Sequence, residues 1–137
     1  MLPEKTEVLR EWLQKSAQDL QVAQYLLKAK PPFTESACFH ARQCAEKFLK
    51  TYLISKEVRP WKTHSIEEIG NKALKFEPTL KKYIRAAEKL SDYAVTVRYP
   101  GDDDPPTLKA ATTCVKVAKT LFEQILKRLP KECHPVS

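Results

Sequence analysis

The sequence predicts an all-α protein, an up-and-down bundle of four long helices and one short helix. Three observations lead there. Only 2 of the 137 residues are glycine, too few for the tight turns of an all-β chain. Good helix formers dominate the composition. Apolar residues recur at steps of three and four through segments separated by breaks of three to ten residues. Such short connections make successive helices antiparallel neighbours.

The first helix is expected over residues 4–29, with Leu9, Leu13, Leu20, Ala23 and Leu27 on one face and Trp12 flanking them. Lys30-Pro31-Pro32 ends it, because proline lacks an amide donor and restricts its predecessor. A second helix follows, with Thr34 as N-cap and Glu35 in the first turn, and runs to Ser55. Its buried stripe is Ala37, Ala41, Cys44, Phe48 and Tyr52.

Ser65-Ile66-Glu67-Glu68 has the form of a capping box and opens a short third helix that ends near Lys75. His64, just before that cap, is expected to bond local backbone. The fourth helix starts near Thr79 and turns Leu80, Tyr83, Ile84, Ala87 and Leu90 inward, with residues 93–97 continuing it by a turn. The last helix opens near Pro106-Thr107, where a proline's missing amide has no partner to lose. Its seam of Leu108, Ala111, Val115, Ala118, Phe122, Ile125 and Leu129 is the most regular in the chain. Residues 130–137 read as a flexible tail on a single domain spanning 1–137.

A net charge of +7 favours polyanionic partners: nucleic acid, a nucleotide or an acidic protein. No apolar run approaches the roughly 18–20 residues of a membrane span, and no signal peptide precedes the first helix. Cys38, Cys44, Cys114 and Cys133 form no CxxC pair, so they read as small buried thiols of a reducing, cytoplasmic compartment rather than zinc ligands. Glycine-rich phosphate loops are absent, which leaves helix N-termini and basic side chains as the devices for holding phosphate.

Two features remain as candidates. On the second helix His40, Gln43, Lys47 and Lys50 follow steps of three, four and three, a row roughly 15 Å long. It is either a ligand-facing strip or a solvated face with internal pairing such as Arg42 to Glu46. The second feature is Leu90–Pro106, where Arg98 precedes Tyr99-Pro100-Gly101 and three aspartates. Arg98 can bind phosphate through its planar fork, stabilise charge in phosphodiester cleavage, or pair with Asp92 or Asp102–Asp104. The aspartates also complement the N-terminus of the last helix, a structural role that competes with metal binding.

Several of these residues together resemble the HEPN family of helical domains. Trp12, Ala17, Asp19-Leu20 and Ala23 are similar to its first-helix pattern, and His40 to Lys50 (HARQCAEKFLK) to its Q-x-A-E-K-x-x-K second helix. Thr63-His64-Ser65-Ile66 resembles the start of its third helix, and Arg98-Tyr99-Pro100 its arginine motif in the RYP form. The resemblance implies a five-helix bundle that forms a homodimer. It also implies a small nucleotidyltransferase as partner, in a toxin–antitoxin-like pair, with a nucleotide or RNA phosphate as ligand. The ligand residues it implies are Arg98, Tyr99, Gln43, Lys47, Lys50 and His40, with Glu46 orienting a basic neighbour.

Many HEPN relatives are metal-independent ribonucleases with a histidine four to six residues after the arginine. Residues 99–105 contain none. Imidazole carries protons near neutral pH, whereas aspartate, with a pKa of about 3.9, is a poor general acid. No catalytic residue, metal or cofactor is therefore assigned. The alternatives are a metal-independent ribonuclease, with His40 or His64 as the proton carrier, and a ligand-free interaction module using the last helix as its seam.

Overall fold

The computed structural model describes residues 3–59, 62–93 and 104–135, with side chains for all of these except residues 3, 92 and 93. Five α-helices follow in order: α1 (Pro3–Lys28), α2 (Thr34–Ser55), α3 (Ile66–Phe76), α4 (Lys81–Glu88) and α5 (Leu108–Leu126). No strand occurs among the described residues. Helix α2 is the centre of the bundle and packs on α1, α3 and α5, while α5 also packs on α1 and α4.

The apolar stripes point as the 3.6-residue period requires. Leu9, Leu13, Leu20 and Ala23 of α1 are buried, as are Ala37, Ala41, Cys44, Phe48 and Tyr52 of α2. Helix α2 also buries Cys38, Ala45, Leu49 and Leu53, so it is enclosed on more sides than a single stripe implies. The fourth helix is composite: a 3-10 turn at Pro78–Leu80 leads into α4, and another at Lys89–Tyr93 leaves it. Leu80, Ile84, Ala87 and Leu90 point inward as predicted. Residues 94–97, expected to continue that helix, lie outside the described residues. In the α5 seam Leu108 is 51% exposed and Phe122 only partly buried, and the other five residues are buried.

Caps explain most of the boundaries. Ser65 Oγ accepts the Glu68 amide at 3.2 Å, and Thr107 Oγ1 accepts the Ala110 amide at 3.1 Å. The reciprocal half of the capping box is replaced, because the Ser65 amide donates to Thr63 Oγ1 at 3.2 Å. At α2 the helix begins at Thr34 itself, and the preceding Phe33 is an N-cap without a side-chain bond. Its carbonyl accepts the Ala37 amide at 2.9 Å, so backbone alone starts the helix. The other end of α2 closes in a Schellman motif, with Val58 and Glu57 amides donating to Leu53 and Ile54 carbonyls. Glu57 occupies the left-handed position at φ 63°.

The predicted flexible tail is docked as far as it is described. Lys131–Cys133 forms a 3-10 turn, Cys133 is fully buried and Arg10 Nη2 donates to the Glu132 carbonyl. His134 Nε2 lies 2.8 Å from the Leu126 carbonyl. The physical reason is that Cys133 fills the end of the core beside α1.

Gly70 sets the approach of α3 to α4. A Cβ added there falls 2.5 Å from Ile84 Cγ2, a branched methyl that cannot swing aside in a fully buried residue. Alanine gains about 1 kcal/mol of helix preference, but overpacking costs about 1–3 kcal/mol. Gly70→Ala is therefore expected to destabilise by about 1 kcal/mol in urea unfolding. In the double variant with Ile84→Ala the two losses sum to less than additive. A Gly70→Ala protein more stable than the parent contradicts this packing.

Candidate nucleotide-binding surface

The polar row of α2 divides between two carboxylates. His40 Nδ1 stands 3.7 Å and Lys47 Nζ 2.5 Å from the carboxylate of Asp19 on α1. Gln43, between them in sequence, is half-buried. Lys50 is buried and turns instead to Glu46, with Nζ 3.5 Å from its Oε2. The row is thus not one open basic strip. Arg98 and Tyr99 lie outside the described residues; of the others the structure keeps His40 and Lys47 together at Asp19 and turns Lys50 away to Glu46.

Glu46 does orient basic neighbours, and more of them than its own helix supplies. It is 3% exposed, with Arg42 Nη2 at 3.8 Å and Lys50 at 3.5 Å, one turn away on either side. His64 Nδ1 reaches it at 3.0 Å from the segment before α3. Arg42 Nη2 also donates to the His64 carbonyl at 2.8 Å. The His64 ring therefore pairs with a carboxylate across helices, where local backbone was expected. Among the described residues the buried side-chain atoms Arg42 Nε, Glu46 Oε1 and, beside Asp19, His40 Nδ1 have no hydrogen-bond partner. The Glu46 cluster locks α2 to the start of α3 and leaves Lys50 little reach toward solvent.

Beside Lys47 a recess of about 340 Å³ opens between α1 and α2, lined by Glu11, Trp12, Lys15 and Lys47. Trp12, read from the sequence as a stripe neighbour and a family position, lines this recess with Lys15, and Asp19, also a family position, reaches it only through Lys47. A signal existed: Trp12, Lys15 and Asp19 are spaced i, i+3, i+7 and share one face of α1. An aromatic ring and ammonium groups lining one hollow can stack a base and hold its phosphate.

The cysteines make no disulfide, and all four are buried. The Cys38 thiol is pushed far up, first by its hydrogen bond with Cys114 and then by burial. Burial likewise raises Cys44 and Cys133. Such thiols are poor nucleophiles. Among the described residues no three His, Cys, Asp or Glu side chains group as metal ligands, and no helix is long and apolar enough to cross a membrane.

Known proteins agree with this architecture. The crystal structure of an archaeal HEPN homologue superposes with a TM-score of 0.69 at 24% identity, covering 88% of this chain and 96% of that one. At that identity the likeness speaks for the fold. No curated protein matches the sequence. The HEPN domain family model matches residues 9–129, a span that runs from the first buried leucine of α1 to the last buried leucine after α5. With nearly every core position of the bundle inside that match, the chain belongs to the HEPN family.

Proposed function

We propose that this protein binds a nucleotide or an RNA phosphate and acts with a small nucleotidyltransferase partner, as one half of a toxin–antitoxin-like pair. The observation that carries the reading is the Trp12 recess, a hollow lined by Trp12, Lys15 and Lys47 together with Glu11. Stacking recognises a base without regard to sequence, and the lysines neutralise its phosphate. Asp19 holds the Lys47 ammonium in place before a ligand arrives. The net charge of +7 draws polyanions toward this surface. Arg98 and Tyr99, next to each other in sequence, supply a planar fork and a second aromatic in this reading, with His40 and Gln43 as polar contacts. It includes a homodimer in the cytoplasm, a compartment that suits four buried thiols without disulfides.

The test is a fluorescence titration with a labelled ribonucleotide and a short labelled RNA. Arg98→Ala and Lys47→Ala are each expected to weaken binding. Trp12→Ala is expected to cost about 1–3 kcal/mol, roughly fivefold to 150-fold in Kd. Equal affinity for parent and Arg98→Ala removes Arg98 from the site. Co-purification with the product of a neighbouring nucleotidyltransferase reading frame tests the partner.

A metal-independent ribonuclease is the second reading. It is favoured by one observation, the part-exposed His40 ring whose Nδ1 stands 3.7 Å from Asp19, without a hydrogen bond, next to the Lys47 cation. It predicts RNA cleavage in the presence of a chelator that is lost in His40→Ala. RNA left intact by concentrated protein excludes it.

A further inference from the structure

A second surface shares no lining residue with the Trp12 recess. Two adjoining hollows, about 510 Å³ and 290 Å³, run between α4 with its following turn and the first half of α5. They share Ala86, Thr113 and Val117, so they form one trough. Its α5 wall is Lys109, Thr113, Lys116 and Thr120, spaced four, three and four. Its other wall is Lys82, Ala86 and Lys89, spaced four and three. At 1.5 Å per residue the α5 wall is roughly 16 Å long, three helical turns.

The floor is apolar, with Ala86, Ala110 and Val117, and four exposed lysines stand along the rim. No carboxylate lines the trough among the described residues. We infer that this trough docks a partner protein through an acidic amphipathic helix of about three turns, apolar residues on the floor and carboxylates toward Lys82, Lys89, Lys109 and Lys116. Charge complementarity selects the occupant. A second copy of the chain presenting this same face across a two-fold axis sets four lysines against four lysines. An RNA backbone satisfies the lysines but gives the apolar floor nothing to bury.

The inference is independent of the Trp12 recess, and one set of variants separates the two. The probe is a fluorescein-labelled amphipathic peptide of about four turns, leucine and alanine at i, i+3, i+4 and i+7 and glutamate on the flanks. A peptide of the same composition with its stripe scrambled is the control. Anisotropy is expected to show saturable binding of the patterned peptide only. Affinity is expected to fall at least about tenfold in Lys109→Glu/Lys116→Glu and again in Thr113→Trp, which fills the trough. These side chains are exposed, so the variants keep the parent's circular dichroism, and their ribonucleotide affinity is expected to match the parent's. Equal affinity in the charge-reversed variant overturns the inference. So does equal binding of the scrambled peptide, displacement by a short RNA, or no binding at millimolar peptide.

Discussion

Glu46→Ala is expected to lower stability by about 3–5 kcal/mol, read as a Tm lower by about 10–15 °C. The reason is what the substitution leaves behind. Arg42 and Lys50 are 9% and 8% exposed, and both neutralise against the Glu46 carboxylate. Removing it strands two cations in a region of low dielectric, and one partner deleted from a buried cluster costs more than the cluster contributes. Arg42 retains the His64 carbonyl, whereas Lys50 has no other partner among the described residues. Glu46→Gln keeps the shape and one acceptor, so its loss is smaller. Replacing Arg42, Glu46 and Lys50 together by Met, Leu and Met removes every charge and is expected to be far milder than Glu46→Ala alone. Urea unfolding of the three proteins checks the order. A Glu46→Ala loss under about 1 kcal/mol contradicts a buried hub.

Phe48→Ala is expected to cost a similar amount, about 3–5 kcal/mol, by a different mechanism. Phe48 is fully buried on α2, and its ring stacks on Phe122 of α5 with centroids 4.3 Å apart and planes 10° apart. Truncation opens a cavity where α2 meets α5 and also forfeits the ring pair, about 0.5–1.5 kcal/mol of the total. Phe122 is only partly buried, so Phe122→Ala is expected to cost less. The difference separates cavity from stacking. A double variant no worse than Phe48→Ala shows that the two rings act as a unit. Thermal unfolding of the four proteins gives these values, and equal losses for the two single variants contradict the assigned burial.

Much of the bundle was legible because periodicity reports burial directly. Leu9, Leu13, Phe48, Ile84 and Ile125 are buried where three- and four-residue steps place them. Local chemistry was legible too where a side chain acts within four residues, as at Ser65. Thr34 is not the cap because the helix already includes it and Phe33 stands at the N-cap without a side-chain bond, and nothing in residue type marks that. The tail misled because Cys133 is a single apolar residue among Pro130, Lys131, Glu132 and His134, too short a pattern to announce a docked turn.

The candidate site was less legible for one physical reason. His40, Gln43, Lys47 and Lys50 share a helix face by spacing, but their electrostatics depend on residues far off in sequence. Lys47 meets Asp19 across 28 positions, and Glu46 meets His64 across 18. Those pairs split a seemingly uniform basic row into one cation bordering a recess and one consumed in a buried cluster. Trp12 illustrates the same limit: its neighbours on α1 are legible, its position across from Lys47 is not.

The central claim is that Trp12 stacks a base between Lys15 and Lys47. The chain has two tryptophans, so the Trp61→Phe variant isolates Trp12 emission. Titrating that variant with an unlabelled ribonucleotide is predicted to quench the emission saturably, and Lys47→Ala in the same background is predicted to shift the midpoint to higher concentration. Emission that stays unchanged to millimolar ribonucleotide, while the labelled nucleotide still binds, would contradict the account.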